Sequence, residues 1–241
     1  MSIRGWPSRL RGRRRSAGLL AFVLLASGCQ EQQAQSTFPD PHRPVAPIES
    51  SRYLNEDARD RSGEFETVTR LAEVQPGMRV ADIGAGEGYY TVRLSPMVGP
   101  GGRVLAEDII PDTIRDLANR VQRERLDNVA LKLGLPNDPQ LPPASFDRIF
   151  MIHMYHEIER PSEFLWNLRG GLKRNGSVVV VDADRPTARH GTPPRLLVCE
   201  FAAVGYELIR FERLADTESY FAQFQAREAR PEPQDIPTCE L

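Results

Sequence analysis

The chain has 241 residues, 40% of them hydrophobic, 27% charged and 7% aromatic, a globular composition that excludes a collagen-like, a wholly disordered and a polytopic membrane chain. Its formal charge of −2 is unevenly placed: six arginines and no acid fall within residues 1–28, which leaves −8 on the remainder. A body that acidic, without basic runs, is ill suited to gripping a phosphate backbone, and three cysteines are too few for a disulfide scaffold.

In chain order, Arg4 to Arg15 form a basic stretch, and Ala17 to Ala26 a ten-residue apolar run, about half of what a membrane span needs. The run ends in Leu-Leu-Ala-Ser-Gly before Cys29, which resembles the lipobox of bacterial lipoproteins, with alanine in place of the usual leucine three positions before the cysteine. That resemblance implies a signal peptide over 1–28 and a lipidated Cys29 as the only membrane attachment. Cleavage near Gly28 and an uncleaved anchor are the alternatives, and all three place the body in the periplasm or cell envelope. A wrong start codon would leave a cytoplasmic protein instead, although no methionine lies between the leader and Met78. Residues 29–57, with glutamines and four prolines, read as an extended tether, and the body as one domain over 58–241.

Within the body, Phe65, Val68, Leu71 and Ala72 recur at helical spacing, and Pro76-Gly77 ends that helix. Strands follow at Arg79–Gly84, Val104–Asp108, Val129–Leu133, Phe146–Ile152 and Ser177–Asp182, with helices at 88–97, 111–125 and 161–172 between them. A helix around 195–205 and two strands, near 206–214 and 219–227, complete the pattern. This alternation predicts an α/β fold, a mostly parallel sheet of seven strands with helices on both faces, whose ligands bind beyond the carboxyl ends of the strands.

The first strand ends in Asp82-Ile-Gly84-Ala-Gly86-Glu-Gly88-Tyr89. A dinucleotide fingerprint needs glycine where Tyr89 stands. The acid ahead of the loop favours a ligand carrying positive charge. Asp108 ends the second strand 20 residues after Gly88, where a carboxylate accepts both hydroxyls of a ribose. A nucleoside with a cationic tail, S-adenosylmethionine, satisfies both.

These residues, with Gly102–Pro111, Ser145-Phe-Asp147 and Leu172-Lys-Arg-Asn-Gly176, resemble the class I S-adenosylmethionine-dependent methyltransferases, especially the small-molecule branch often called type 11, over about 65–185. The resemblance implies a Rossmann-like fold and a small-molecule or lipid-like methyl acceptor. Gly84, Ala85, Gly86 and Gly88 would lie against the methionine portion of the cofactor, Asp82 on its ammonium or sulfonium side, Asp108 on the ribose and Ile109 on the adenine. Glu107 competes with Asp108 for the ribose. After the third strand the family's usual acid is absent, and Asn137 or Asp138 stands in for the adenine contact. An exported protein meets a cofactor made in the cytoplasm, so a nucleoside-binding module on this fold without turnover is the alternative function.

For acid–base work the candidates are His153 and His156, beyond the fourth strand, against readings in which His153 only lines the cofactor and His156 caps or packs. A metal at His153, His156 and Glu157 is not expected, since the order is not H-E-x-x-H. His190, in a Pro/Gly-rich loop, reads as solvated, and Asp182 and Asp184 flank the end of the fifth strand. Tyr89 and Tyr90 read as packing groups for the first helix. In an oxidising compartment Cys199 and Cys239 can bond, pinning the tail to the helix near 199; the alternative is a buried Cys199 and a loose Cys239.

Overall fold

The computed structural model describes residues 37–48, 56–215, 217–227 and 229–240. The leader, Cys29 and the remainder of the tether lie outside the described residues.

A single sheet has the order β3-β2-β1-β4-β5-β7-β6. Its strands are β1 (Arg79–Ile83), β2 (Arg103–Asp108), β3 (Val129–Leu133), β4 (Phe146–Ile152), β5 (Leu172–Ala183), β6 (Tyr206–Arg213) and β7 (Ser219–Ala226). The first five pair in parallel, and β7 runs antiparallel between β5 and β6. The reversal after β1, which sends β2 to one side and β4 to the other, opens the crevice at the carboxyl end of β1.

Both faces are covered because the central strands carry continuous apolar runs, Val178–Val181 in β5 and Ile149–Ile152 in β4. In β5, Val178 and Val180 face one core, where α5 (Pro161–Leu168) and α6 (Pro194–Ala203) add Phe164, Leu165, Leu197 and Phe201. Val179 and Val181 face the other, where α2 (Glu64–Leu71) and α3 (Tyr89–Val98) add Phe65, Val68, Leu94 and Val98. α4 (Pro111–Arg123) starts on a proline and buries Leu117, while β3 at the sheet edge buries no residue fully. Cys199 on α6 and Cys239 are bonded, with Cα atoms 5.9 Å apart, so the tail is pinned as the pairing of the two cysteines foresaw.

The amino-terminal side departs from the expected tether. Residues 37–48 lie on the domain: Arg43 Nε sits 3.0 Å from Glu200 Oε1, both side chains nearly water-free, and Arg43 Nη2 donates to the carbonyl of Ile158 at 2.9 Å. Ala46 N donates to His156 O, and Phe38 packs edge-on to Trp166. The four prolines allow an extended strap without partner strands, and one arginine that finds a buried carboxylate holds it down. A further helix, α1 (Glu56–Ser62), precedes α2 and begins inside the span expected to be tether. Glu56 and Asp60 on α1 pair with Arg93 of α3, and Glu56 also with Arg120 of α4.

Candidate active site

The loop leaving β1 is built by backbone geometry. Gly84, Gly86 and Gly88 have φ of 65°, 56° and 87°, a region costly for residues with a Cβ. Ala85 N donates to the Glu107 carbonyl at 2.9 Å, which fastens the loop over the end of β2. Asp108 is clamped from both sides: Gly86 N donates to its Oδ2 at 3.0 Å and Ile110 N to its Oδ1 at 2.9 Å. Each carboxylate oxygen keeps a second lone pair.

A cleft of about 280 Å³ opens here. Gly84, Ala85, Gly86, Glu107, Asp108 and Ile109 line one wall. α1 contributes Glu56 and Arg59, which arch over the loop, and Tyr89 lies beneath Arg59, whose guanidinium is 3.9 Å from the ring centre. The far side is His153, Met154, Glu157, Ile158 and Phe164, with Ile48 from the strap. Both acids at the end of β2 border the cleft. They differ in surroundings: burial, then the charge of Asp108, pushes the Glu107 carboxyl up to about 8.

Several residues expected in the cleft are elsewhere. Asp82 is buried beneath the loop, where Thr91 Oγ1 donates to it at 2.6 Å, and burial lifts its carboxyl to about 6; it ties β1 to α3 and does not line the cleft. Gly88 caps α3 and is a packing glycine, since a Cβ there would stand 2.3 Å from the Leu117 side chain. Asn137 reaches away to Glu163 on α5, at 2.5 Å, and its neighbour Pro136 takes the place on the cleft wall. Tyr89 and Tyr90 pack α3 as read, and Tyr89 borders the cleft as well.

The two histidines separate. His153 stands at the end of β4 with φ of 56°, in the left-handed region, its N donating to Val181 O at 2.7 Å. This turn aims the ring at the cleft wall, where Nε2 lies 2.8 Å from Glu64 Oε2 of α2. Burial opposes ionisation of Glu64, but His153 and Arg59 outweigh it and hold the carboxyl at about 2. His156, three residues beyond in a short 3-10 turn (Tyr155–Glu157), is wholly buried and paired with Asp182, not with the cleft. His190 is half-buried, with its ring edge-on to His156 at 5.4 Å between centres, so the solvated reading of that loop is corrected. Asp184 pairs with Arg213 at 2.7 Å. Sequence reasoning missed Glu56, which fell within the supposed tether, and Arg59, just beyond it in a helix without an apolar period, and missed Glu64 as a partner 89 residues from His153.

The family profile described as "Methyltransferase domain" matches residues 74–226, more than half of the chain. The chain belongs to the methyltransferase-domain family. A protein-L-isoaspartate O-methyltransferase of Methanothrix thermoacetophila is 28% identical over 110 residues, covering 46% of this methyltransferase-domain chain and 50% of the relative. Nocamycin O-methyltransferase of Saccharothrix syringae is 35% identical over 77 residues, 32% and 28% of the two chains. The chain thus spans half or less of the length of these curated relatives. Among solved structures, a SAM-dependent methyltransferase from Aquifex aeolicus superposes with a TM-score of 0.64 at 22% identity, over 73% of this chain and all of the other. Aeropyrum pernix fibrillarin, with natively bound S-adenosyl-L-methionine, gives 0.52 at 18% identity, over 66% and 74%. At these identities the likeness carries the Rossmann-like fold.

The family's cofactor, S-adenosylmethionine, fits the residues present. A Cβ on Gly86 would meet nothing within 4 Å, so the bare backbone faces the open cleft. Beside it are a clamped carboxylate for hydroxyls, Asp108, and an aliphatic face, Ile109.

Proposed function

We propose that the chain is an S-adenosylmethionine-dependent methyltransferase of the cell envelope, acting on a small or lipid-like acceptor. The observation that carries the reading is Asp108, whose oxygens are oriented by Gly86 N and Ile110 N toward a cleft floored by open glycine backbone. A ribose diol seated there meets a preformed acceptor pair. Gly84, Ala85 and Gly86 admit the methionine portion, Ile109 and Pro136 sandwich the base, and Arg59 supplies positive charge for a carboxylate.

When bound, the cofactor supplies a methyl group on a sulfonium, open to in-line displacement. The protein's part is to position the acceptor and exclude water. Ile48, Ile152, Met154, Ile158 and Phe164 give the far side of the cleft an apolar lining, which suits a lipid-like or apolar acceptor. Of the two histidines His153 is the one that lines the cleft, and it is the candidate to take a proton from such an acceptor. Glu64 holds its ring in place through Nε2. His156 lacks that access.

The envelope location rests on the leader-like amino terminus and on the Cys199–Cys239 bond, which suits an oxidising compartment. The relatives' names point to acceptors as different as protein isoaspartate and nocamycin, so the acceptor class is tested directly. With methyl-labelled cofactor and envelope extract, label is expected in the organic-soluble fraction, and His153→Ala is expected to slow it by about a hundredfold. Label confined to precipitated protein, or to an isoaspartyl peptide, would overturn the acceptor reading.

A further inference from the structure

Behind the cleft wall a second polar cluster has no role in methyl transfer as described. Asp182, at the end of β5, is wholly buried and fixed by Ala183 N and by Thr192 Oγ1, each at 2.8 Å. Its carboxylate lies 2.9 and 3.2 Å from His156 Nδ1. A carboxylate accepts, so Nδ1 carries the hydrogen, and in the neutral ring this leaves the lone pair on Nε2. Nε2 is buried and has no hydrogen-bond partner. Leaving such an atom without a partner costs about 1–3 kcal/mol, so its surroundings call for an explanation.

Those surroundings are two further donors. Ligand atoms of His156, Glu157 and His190 all lie within 4.8 Å of one another, the one such trio among the described residues. His190 is held there by its own backbone: it closes the Thr187–Arg189 turn in the left-handed region, φ 55°, with its N donating to Thr187 O. Tyr220 Oη donates to Thr192 O at 2.7 Å and fastens the following residues to β7.

From this arrangement we propose a site for a divalent transition metal of the zinc class, ligated by His156 Nε2, His190 and Glu157. Two histidines and one carboxylate are a zinc ligand set that leaves a fourth position for water or another ligand. The Asp182–His156 contact is the carboxylate behind a ligating histidine that such sites use to fix the tautomer and the ring. Glu157 also lines the cleft, which places the ion at its rim. The order of residues hid the site: His156 and Glu157 are adjacent, but the third ligand comes from a loop after β5, and His153, its apparent partner in sequence, turns to Glu64.

Metal binding is testable apart from methyl transfer. The purified protein is dialysed against zinc, its metal content measured, and its melting temperature recorded with and without a chelator; Co²⁺ replaces zinc for visible spectroscopy. One zinc per chain, d–d bands of four-coordinate cobalt and a higher melting temperature with metal are expected. His190→Ala and Glu157→Gln, neither fully buried, should lose binding by more than a hundredfold, and Asp182→Asn by about ten- to a hundredfold. His42→Ala, at an exposed histidine outside the cluster, should bind as the parent does. Circular dichroism confirms that each variant is folded. Less than a tenth of an equivalent of zinc in the folded parent, or equal affinity in parent, His190→Ala and Glu157→Gln, would overturn the proposal.

Discussion

The two ends of the crevice are made differently. At β1 and β2 the site is mainly backbone: glycines with positive φ, amide groups of Ala85, Gly86 and Ile110, and one carboxylate they orient. At β4 and β5 it is made of side chains brought from far along the chain, with Glu64 on His153, Asp182 and His190 around His156, and Arg43 of the strap on Glu200 beside Tyr155. A backbone site is set by local conformation and tolerates few residue types. A side-chain site depends on the packing of whole elements, so losing one of its buried members is felt by the fold as well as by the site.

The largest test of this contrast is Arg43→Ala, which leaves Glu200 buried without its countercharge. It should cost about 3–5 kcal/mol in urea unfolding, while Arg43→Met with Glu200→Leu should recover most of that loss. A cost below about 1 kcal/mol would mean that the strap is not part of the folded unit.

Gly86→Ala and Gly88→Ala divide the backbone site itself. Gly88→Ala combines strained φ with a collision against Leu117 and should cost about 2–3 kcal/mol of stability. Gly86→Ala meets no neighbour, so it should cost about 1 kcal/mol in stability yet lose most cofactor affinity. Equal stability losses would erase the distinction between packing glycine and cleft glycine.

An effect visible only as a function of pH concerns Glu107, whose carboxyl is raised from 4.5 to about 8 by burial and by Asp108. Its contribution to stability is present below about pH 4.5 and is lost as pH rises through about 8, because the unfolded chain ionises first. Relative to the parent, Glu107→Gln should therefore gain about 3 kcal/mol between pH 5 and pH 8, measured by urea unfolding at both. A constant difference across that range would place Glu107 in water.

How far the sequence could be read follows the same division. The glycine loop, Asp108, Ile109 and the seven strands were legible because each is a local pattern: a turn that needs positive φ, an acid at a strand end, an apolar run. Asp82 and Gly88 were assigned to the ligand because their motif is shared by residues that touch it and residues that support it, and only burial separates the two. Asn137 was one residue from the wall position, which a loop without a periodic pattern cannot specify. The strap was hidden by composition, since its prolines give no hydrophobic period even where one buried arginine anchors the chain, and α1, Glu-Asp-Ala-Arg-Asp-Arg-Ser, is too polar to show one. His190 was illegible in role because its position comes from the turn after β5 and from Tyr220 on β7, neither of them near it in a motif.

The central claim is that the clamped Asp108 beside an open glycine loop is a cofactor site. Isothermal titration of S-adenosylhomocysteine and S-adenosylmethionine into the purified protein, with Asp108→Ala in parallel, tests it most directly. Micromolar binding by the parent is expected, with a loss of at least about a hundredfold in the variant, the cost of two hydrogen bonds to a charged group. No binding of either ligand to folded protein, or equal binding by Asp108→Ala, would contradict it.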